Sequence, residues 1–325
     1  MSEERNYPVF TDIDDDFHDE VMSERWWETE TCWFSWNVPE RKMGGWTYCQ
    51  SLPNAGICNG GAWVWDDTAA YSMDLPHYAY YRSLQLPERG ARDMRDFEWP
   101  NGVRTTVLEP LMAYRVHYDA PELIVDLEFH ALIPPNPHPV GVAPFLVGTH
   151  FDQPGHVTGE MVLKGEKIEI DCYSVRDRSW GPRPAGRPRP KPADAPKRPP
   201  VGIGYCFGTA NEKEAWLTYS CPSLDGDPVV CGFLLRDGVY AHILSGTRSM
   251  TVNSKEGWPE TITIDAVDDL GRTLHVEGAS VSRHRHESGG DTLMHWRWDG
   301  AEGYGEDQTY QPRSIWDKLR KEARS

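Results

Sequence analysis

The chain has 325 residues, about twice the length of a common single domain, so two domains of roughly 150 residues are expected. Its 33 Lys and Arg stand against 50 Asp and Glu, a formal net charge of −17, which argues against nucleic acid and anionic membranes because both need clustered cations. Fourteen Trp, 14 Tyr and 9 Phe in an otherwise polar chain leave ring surface to explain, and an aromatic-walled pocket is one place for it.

Taken in order, the first residues hold Glu3, Glu4, Asp12, Asp14, Asp15 and Asp16 and no apolar stretch. No secretory signal is expected, and the cytoplasm is the expected compartment. No run approaches the roughly 18 apolar residues of a membrane helix, so no membrane insertion is expected. The seven cysteines form no Cys-x-x-Cys pair and read as reduced core residues rather than metal ligands.

Rings crowd the first part of the chain: Trp26, Trp27, Trp33, Trp36, Trp46, Tyr48, Trp63 and Trp65, then Tyr78, Tyr80 and Tyr81. On strands, Trp46 and Tyr48 share a face, as do Trp63 and Trp65. Such faces suit a flat apolar ligand and stabilise a developing cation. Period-two alternation is clearest from Glu122 to Ile133 and recurs over Lys167 to Val175, Thr261 to Val267, Thr273 to Ser282 and Thr292 to Trp298, each bounded by turn residues. Helical periodicity is confined to Ser314 to Arg324, with Ser314 as the expected N-cap. The pattern is that of an all-β protein, sandwich or barrel.

The sharpest local feature is Arg176-Asp177-Arg178-Ser179-Trp180-Gly181-Pro182-Arg183. If the strand before it continues, Asp177 and Ser179 point to one face and Arg176, Arg178 and Trp180 to the other. Nearby arginines lower a carboxyl pKa and burial raises it, so the environment decides whether Asp177 acts as base or acid. Upstream, His150 and Asp152 are spaced to share a face. Pro182 to Pro200, dense in Pro and Arg, reads as an extended surface linker, lid or docking strip. His284-x-His286, flanked by Arg283, Arg285 and Gly289-Gly290, reads as an exposed hairpin end, and no metal site is assigned to it. Gly202-Ile203-Gly204 lacks the helix a phosphate cradle needs.

The run from His150 through Gly155, Gly159, Gly165 and Glu166 to the Arg176–Arg183 motif resembles the carotenoid 1,2-hydratase-like superfamily, which includes tocopherol cyclase-like and AttH-like proteins and fungal Diels-Alderases. It is most similar to a bacterial branch reading Arg-Asp-His-Ser-Trp-Gly-x-Arg. Glu30 with Trp33-Phe34, Glu109-Pro110-Leu111, and Trp298-Asp299-Gly300 with Gly303 and Gly305 extend the likeness. The resemblance implies two lipocalin-like β-barrels packed together with a site near their interface. The carotenoid hydratases read His-Asp-His-Asn-Trp-Gly, so Arg176 and Arg178 replace both histidines and permanent cations stand where imidazoles would titrate. The hydratases' downstream Tyr-x-Asp corresponds to Tyr219-Ser220-Cys221, which keeps the tyrosine and not the acid.

The expected organisation is a first barrel over residues 1–181, a linker over 182–200, and a second barrel with a terminal helix over 201–325. The expected activity is that of a lyase, hydratase or isomerase without a cofactor, acting on a bulky hydrophobic terpenoid or lignin-derived aromatic. An aromatic-dimer carbon–carbon or ether lyase and a ligand carrier without chemistry are the alternatives. Asp177 is the expected acid/base, with Arg176, Tyr219, His150 and Glu30 in support. Trp180, Arg178, Ser179, Trp33, Trp46, Tyr48, Trp63 and Trp216 are expected against the substrate. The expected partner is that small hydrophobic or aromatic substrate, with no nucleic acid, and a homodimer stays open.

Overall fold

The computed structural model describes residues 5–182, 202–285 and 289–324. Eleven strands build the first half: β1 (Glu28–Val38), β2 (Met43–Leu52), β3 (Ile57–Trp65), β4 (His77–Gln85), β5 (Asp96–Glu98), β6 (Val103–Glu109), β7 (Ala113–Ala120), β8 (Leu123–Ala131), β9 (Asn136–Pro137), β10 (Thr149–Leu163) and β11 (Glu166–Pro182). Eight build the second: β12 (Ile203–Asn211), β13 (Glu214–Ser220), β14 (Pro228–Arg236), β15 (Val239–Val252), β16 (Pro259–Asp268), β17 (Thr273–Arg285), β18 (Gly289–Trp298) and β19 (Ala301–Tyr310). A short helix, α1 (Arg313–Glu322), follows. The fold is all-β, with two lipocalin-like halves packed together.

The second half is a closed barrel in which each strand pairs with the next and β19 returns to β12. The first half differs from the expected barrel. Its sheet runs β4-β3-β2-β1-β11-β10-β8-β7-β6-β5 and curls without closing, because its edges are the three-residue β5 and the largely exposed β4. The proline-rich segment after Pro182 lies outside the described residues. At the C-terminus, α1 begins one residue before the expected cap, with Pro312 at the N-cap position and Ser314 inside the first turn. Proline suits a helix start, where the backbone N–H it lacks has no intrahelical partner. Among the described residues no helix is long and apolar enough to cross a membrane.

Apolar packing falls into three groups. One fills the curled sheet around Phe34, Trp36, Trp99 and Phe129. Another fills the closed barrel around Trp216, Ile264 and Trp296. The third lies between the halves and joins Trp33, Trp46 and Trp63 to Phe207, Leu217 and Phe233. β1 belongs to two of these groups, so all eleven of its residues are buried. A strand covered on both faces needs no polar side, which is why its Cys32-Trp33-Phe34 run shows no alternation of polarity.

Candidate active site

Strand alternation splits the motif on β11. Arg176 and Arg178 turn into the curled sheet, while Asp177 turns out toward the second barrel and lines a cavity of about 300 Å³ with Thr31, Trp33, Trp46, Tyr48, Trp63, Tyr80, Gln308 and Tyr310. The strand registers explain this wall. Asp152 on β10 pairs with Asp177 on β11, Asp177 with Trp33 on β1, Trp33 with Tyr48 on β2, Tyr48 with Gly61 on β3, and Gly61 with Tyr80 on β4. Side chains paired in this way share a face and stand about 5 Å apart, so the six positions make one row across the sheet. Gly61 takes φ +154, and a Cβ there would meet the Ala79 carbonyl oxygen at 2.1 Å. The row therefore has no side chain between Tyr48 and Tyr80.

A second row faces it from the outer wall of the barrel. Tyr219 on β13 pairs with Tyr205 on β12, Tyr205 with Gln308 on β19, Gln308 with Asp291 on β18, and Asp291 with His284 on β17. Every side chain of this row carries a polar group, where three of the first row's six positions are aromatic, and the cavity lies between them.

At one end the rows close on a buried polar cluster. Asp152 Oδ1 accepts hydrogen bonds from Tyr205 Oη at 3.0 Å and Tyr219 Oη at 3.1 Å, and His150 Nε2 lies 3.0 Å from it. His150 Nε2 and Tyr219 Oη are 2.7 Å apart, and Phe145 stacks on the imidazole at 4.0 Å. Asp152 is wholly buried, and its Oδ2 has no hydrogen-bond partner among the described residues. Burial raises the Asp152 carboxyl to about 7 against the pull of its two tyrosine hydroxyls, because desolvation penalises the charged form. Burial and the neighbouring His150 lower His138 to about 4, and its ring lies 5.0 Å from that of Tyr219. His150, Asp152 and Asp177 offer ligand atoms within 4.8 Å of one another, so this is also where the described residues could hold a cation.

Several expected site residues lie elsewhere. Arg176 donates to Gln153 Oε1 at 2.8 Å and Tyr114 Oη at 2.6 Å inside the curled sheet. Arg178 pairs there with Glu30, which also meets His18 Nδ1 at 2.7 Å. Trp180 stacks on His18 at 3.7 Å on the same side. Even positions on β1 and β11 face that interior, which takes Arg176, Arg178, Glu30 and Trp180 away from the cavity. Trp216 packs on Trp296 at 5.0 Å inside the closed barrel and does not reach it either. Ser179 lies one pair beyond Asp177 on its face and meets Thr31 Oγ1 at 2.6 Å. His284, expected at an exposed hairpin end, is fully buried against Asp291 and Ser72, because its strand face meets the first half. His286 lies outside the described residues.

Sequence reasoning noted Asp152 beside His150 without giving it a role, and it passed over Tyr205, Gln308 and Tyr310. Asp152 had one signal, its two-residue spacing from His150. The other three sit on strands whose partners no local pattern specifies.

Two β halves clasping an aromatic cavity with carboxyls at one end define the class of protein. Residues 11–311 match the family described as a domain of unknown function, DUF7064, and the chain belongs to that family. Comparison with curated proteins finds no match. Among solved structures, a protein of Nitrosomonas europaea provisionally assigned as AttH is similar at TM-score 0.61 and 12% identity, over 96% of this chain and 99% of that one. Kievitone hydratase from Nectria haematococca is similar at TM-score 0.54 and 12% identity, over 97% of each chain. CghA, solved with Sch210972, is similar at TM-score 0.58 and 10% identity, over 95% of this chain and 94% of that one. At these identities the likeness is one of fold.

Proposed function

We propose that the protein is a hydratase, dehydratase or isomerase that moves a proton on a bulky hydrophobic substrate, a terpenoid or a lignin-derived aromatic, without an organic cofactor. The observation that carries this reading is the opening of Asp177 onto the Trp-walled cavity with the buried carboxyl of Asp152 directly opposite it on the neighbouring strand. A hydrophobic carrier needs the rings and has no use for such a pair. The sharing of a fold with kievitone hydratase supports the same direction.

Asp177 is the group that meets the substrate. Asp152, protonated below about pH 7, is a proton reservoir within reach of Asp177 directly or through one water. Tyr205, Tyr219 and His150 are positioning residues that hold the Asp152 carboxyl. In the hydrating direction one carbon of a double bond takes the acid's proton, the oxygen of water bonds to the other carbon, and the second proton of that water returns to the carboxylate. Dehydration is the reverse, and loss of a proton from a different carbon gives isomerisation. The faces of Trp33, Trp46 and Trp63 favour the cationic intermediate by about 0.5 to 2 kcal/mol per ring. The same groups acting on a phenolic dimer would assist carbon–carbon or ether cleavage instead.

The test is turnover of a panel of terpene alcohols and phenolic dimers, followed by mass spectrometry. Addition or loss of 18 mass units identifies hydration or dehydration, a new chromatographic peak of unchanged mass identifies isomerisation, and fragmentation of a dimer identifies the lyase variant. Tight binding with no turnover across the panel would make the protein a carrier.

A further inference from the structure

The cavity has a second polar end that the proton chemistry does not use. Gln308 and Tyr310 on β19 line it. Both are held from behind. Gln308 Nε2 donates to Glu306 Oε2 at 3.1 Å, and Trp46 Nε1 donates to the same carboxyl at 2.9 and 3.0 Å. Tyr310 Oη donates to Asp291 Oδ1 at 2.7 Å, Asp291 lies against His284, and His284 Nε2 meets Ser72 Oγ at 2.9 Å. Glu306, Asp291 and His284 are all but inaccessible to solvent. Burial drives the Glu306 carboxyl well above its usual range.

Burying three titratable groups costs stability that apolar packing between the halves would not. What the arrangement achieves is orientation. An amide carries two N–H donors and an acceptor oxygen; with one N–H committed to Glu306, Gln308 keeps the other N–H and its oxygen for the cavity it lines. That pair suits a hydroxyl, which donates and accepts. Gln308 stands one strand, about 5 Å, from Tyr205, so the matching group lies one to two rings from the reacting end.

Resting on the proposed function, we infer that Gln308, beside the Tyr310 ring, forms a hydroxyl-binding subsite, so the substrate is an oxygenated ring system, a phenol or polycyclic alcohol, and not a bare hydrocarbon. The probes are 4-hydroxybiphenyl and 4,4′-dihydroxybiphenyl, with binding read by quenching of tryptophan fluorescence. The wild-type chain binds the diol at least fivefold more tightly. In Gln308→Leu, checked for a native β circular-dichroism spectrum, the ratio falls to the roughly twofold advantage that symmetry gives the diol, while 4-hydroxybiphenyl affinity stays within about twofold. Gln308→Met, which keeps the length of the side chain and removes its amide, lowers the ratio in the same direction and serves if the leucine variant does not fold. A wild-type ratio near two, or a fivefold ratio that survives both variants, overturns the subsite and leaves the carboxyl chemistry standing. Failure of the wild type to bind either phenol overturns the subsite together with the aromatic-cavity reading beneath it.

Discussion

Where β10 and β11 pair, the two faces of the sheet carry charges of opposite kind in opposite circumstances. On the inner face, Arg178 meets Glu30 and Arg176 reaches Tyr114, Gln153 and, at 3.9 Å, Asp15. Cations and acids there satisfy one another and anchor the N-terminal segment, since Arg178 also donates to the backbone oxygens of Asp14 and Asp16. On the outer face, Asp152 has two hydroxyls and an imidazole around one oxygen and, among the described residues, no Arg or Lys in hydrogen-bond or ion-pair contact. The thickness of one sheet is enough to separate a cation-paired interior from a carboxyl that burial raises to about 7. A buried ion pair mainly fixes geometry, whereas a buried acid near neutral pKa is suited to proton transfer.

This contrast breaks cleanly if the faces are exchangeable. Asp177→Asn keeps the shape and removes the titrating group, so turnover of whichever panel substrate reacts should fall by about 10² to 10⁴ with the melting temperature little changed. Arg178→Met should do the opposite. It strands Glu30 without its arginine and should cost about 3 to 5 kcal/mol of stability in denaturant unfolding, while the fraction that remains folded turns over at the wild-type rate. Equal losses of rate in both variants would mean that the inner arginines reach the chemistry after all.

Much of this was legible beforehand, and the part that was not has a common cause. The split of Arg176, Asp177 and Arg178 between faces and the shared face of Trp46 and Tyr48 follow from the two-residue period, which is local. The pairing of Asp152 with Asp177 depends on the register of β10 against β11, and the approach of Tyr205 and Gln308 depends on how two halves dock. The same limit misplaced Trp216: its strand face turns into the closed barrel, where Tyr219, three residues on, faces out. Glu30 was matched to the site by motif, but its parity on β1 sends it inward to Arg178.

Protonation extends the comparison to pH. Asp152 titrates near 7 in the folded protein and near 4 unfolded, so the native state binds the extra proton between those values and its stability falls as pH rises through them. His138, lowered to about 4 from 6.5, works in the other direction, because the unfolded chain binds the proton and stability rises between about 4 and 6.5. Each contributes at most about 1.4 kcal/mol per pH unit, and the two offset one another in the wild type. Asp152→Asn removes only the first. Its stability, measured by denaturant unfolding at each pH, should therefore rise relative to the wild type's across that interval.

The finest test concerns the hydroxyls on Asp152. A hydrogen bond to the ionised carboxylate lowers its pKa, and Tyr205 is the stronger such influence among the tyrosines around it. Tyr205→Phe removes one donor from Oδ1 and leaves Tyr219 and His150 in place, so the carboxyl should hold its proton to higher pH. A bond worth about 0.5 to 1.5 kcal/mol corresponds to a shift of up to about one pH unit. If Asp152 supplies the proton, the limb of the kcat/KM profile that falls as it ionises should move upward by that amount in Tyr205→Phe, with the rate at low pH preserved. A limb that stays put, or moves downward, would assign the falling limb to another group and return Asp152 to a purely structural place in the wall.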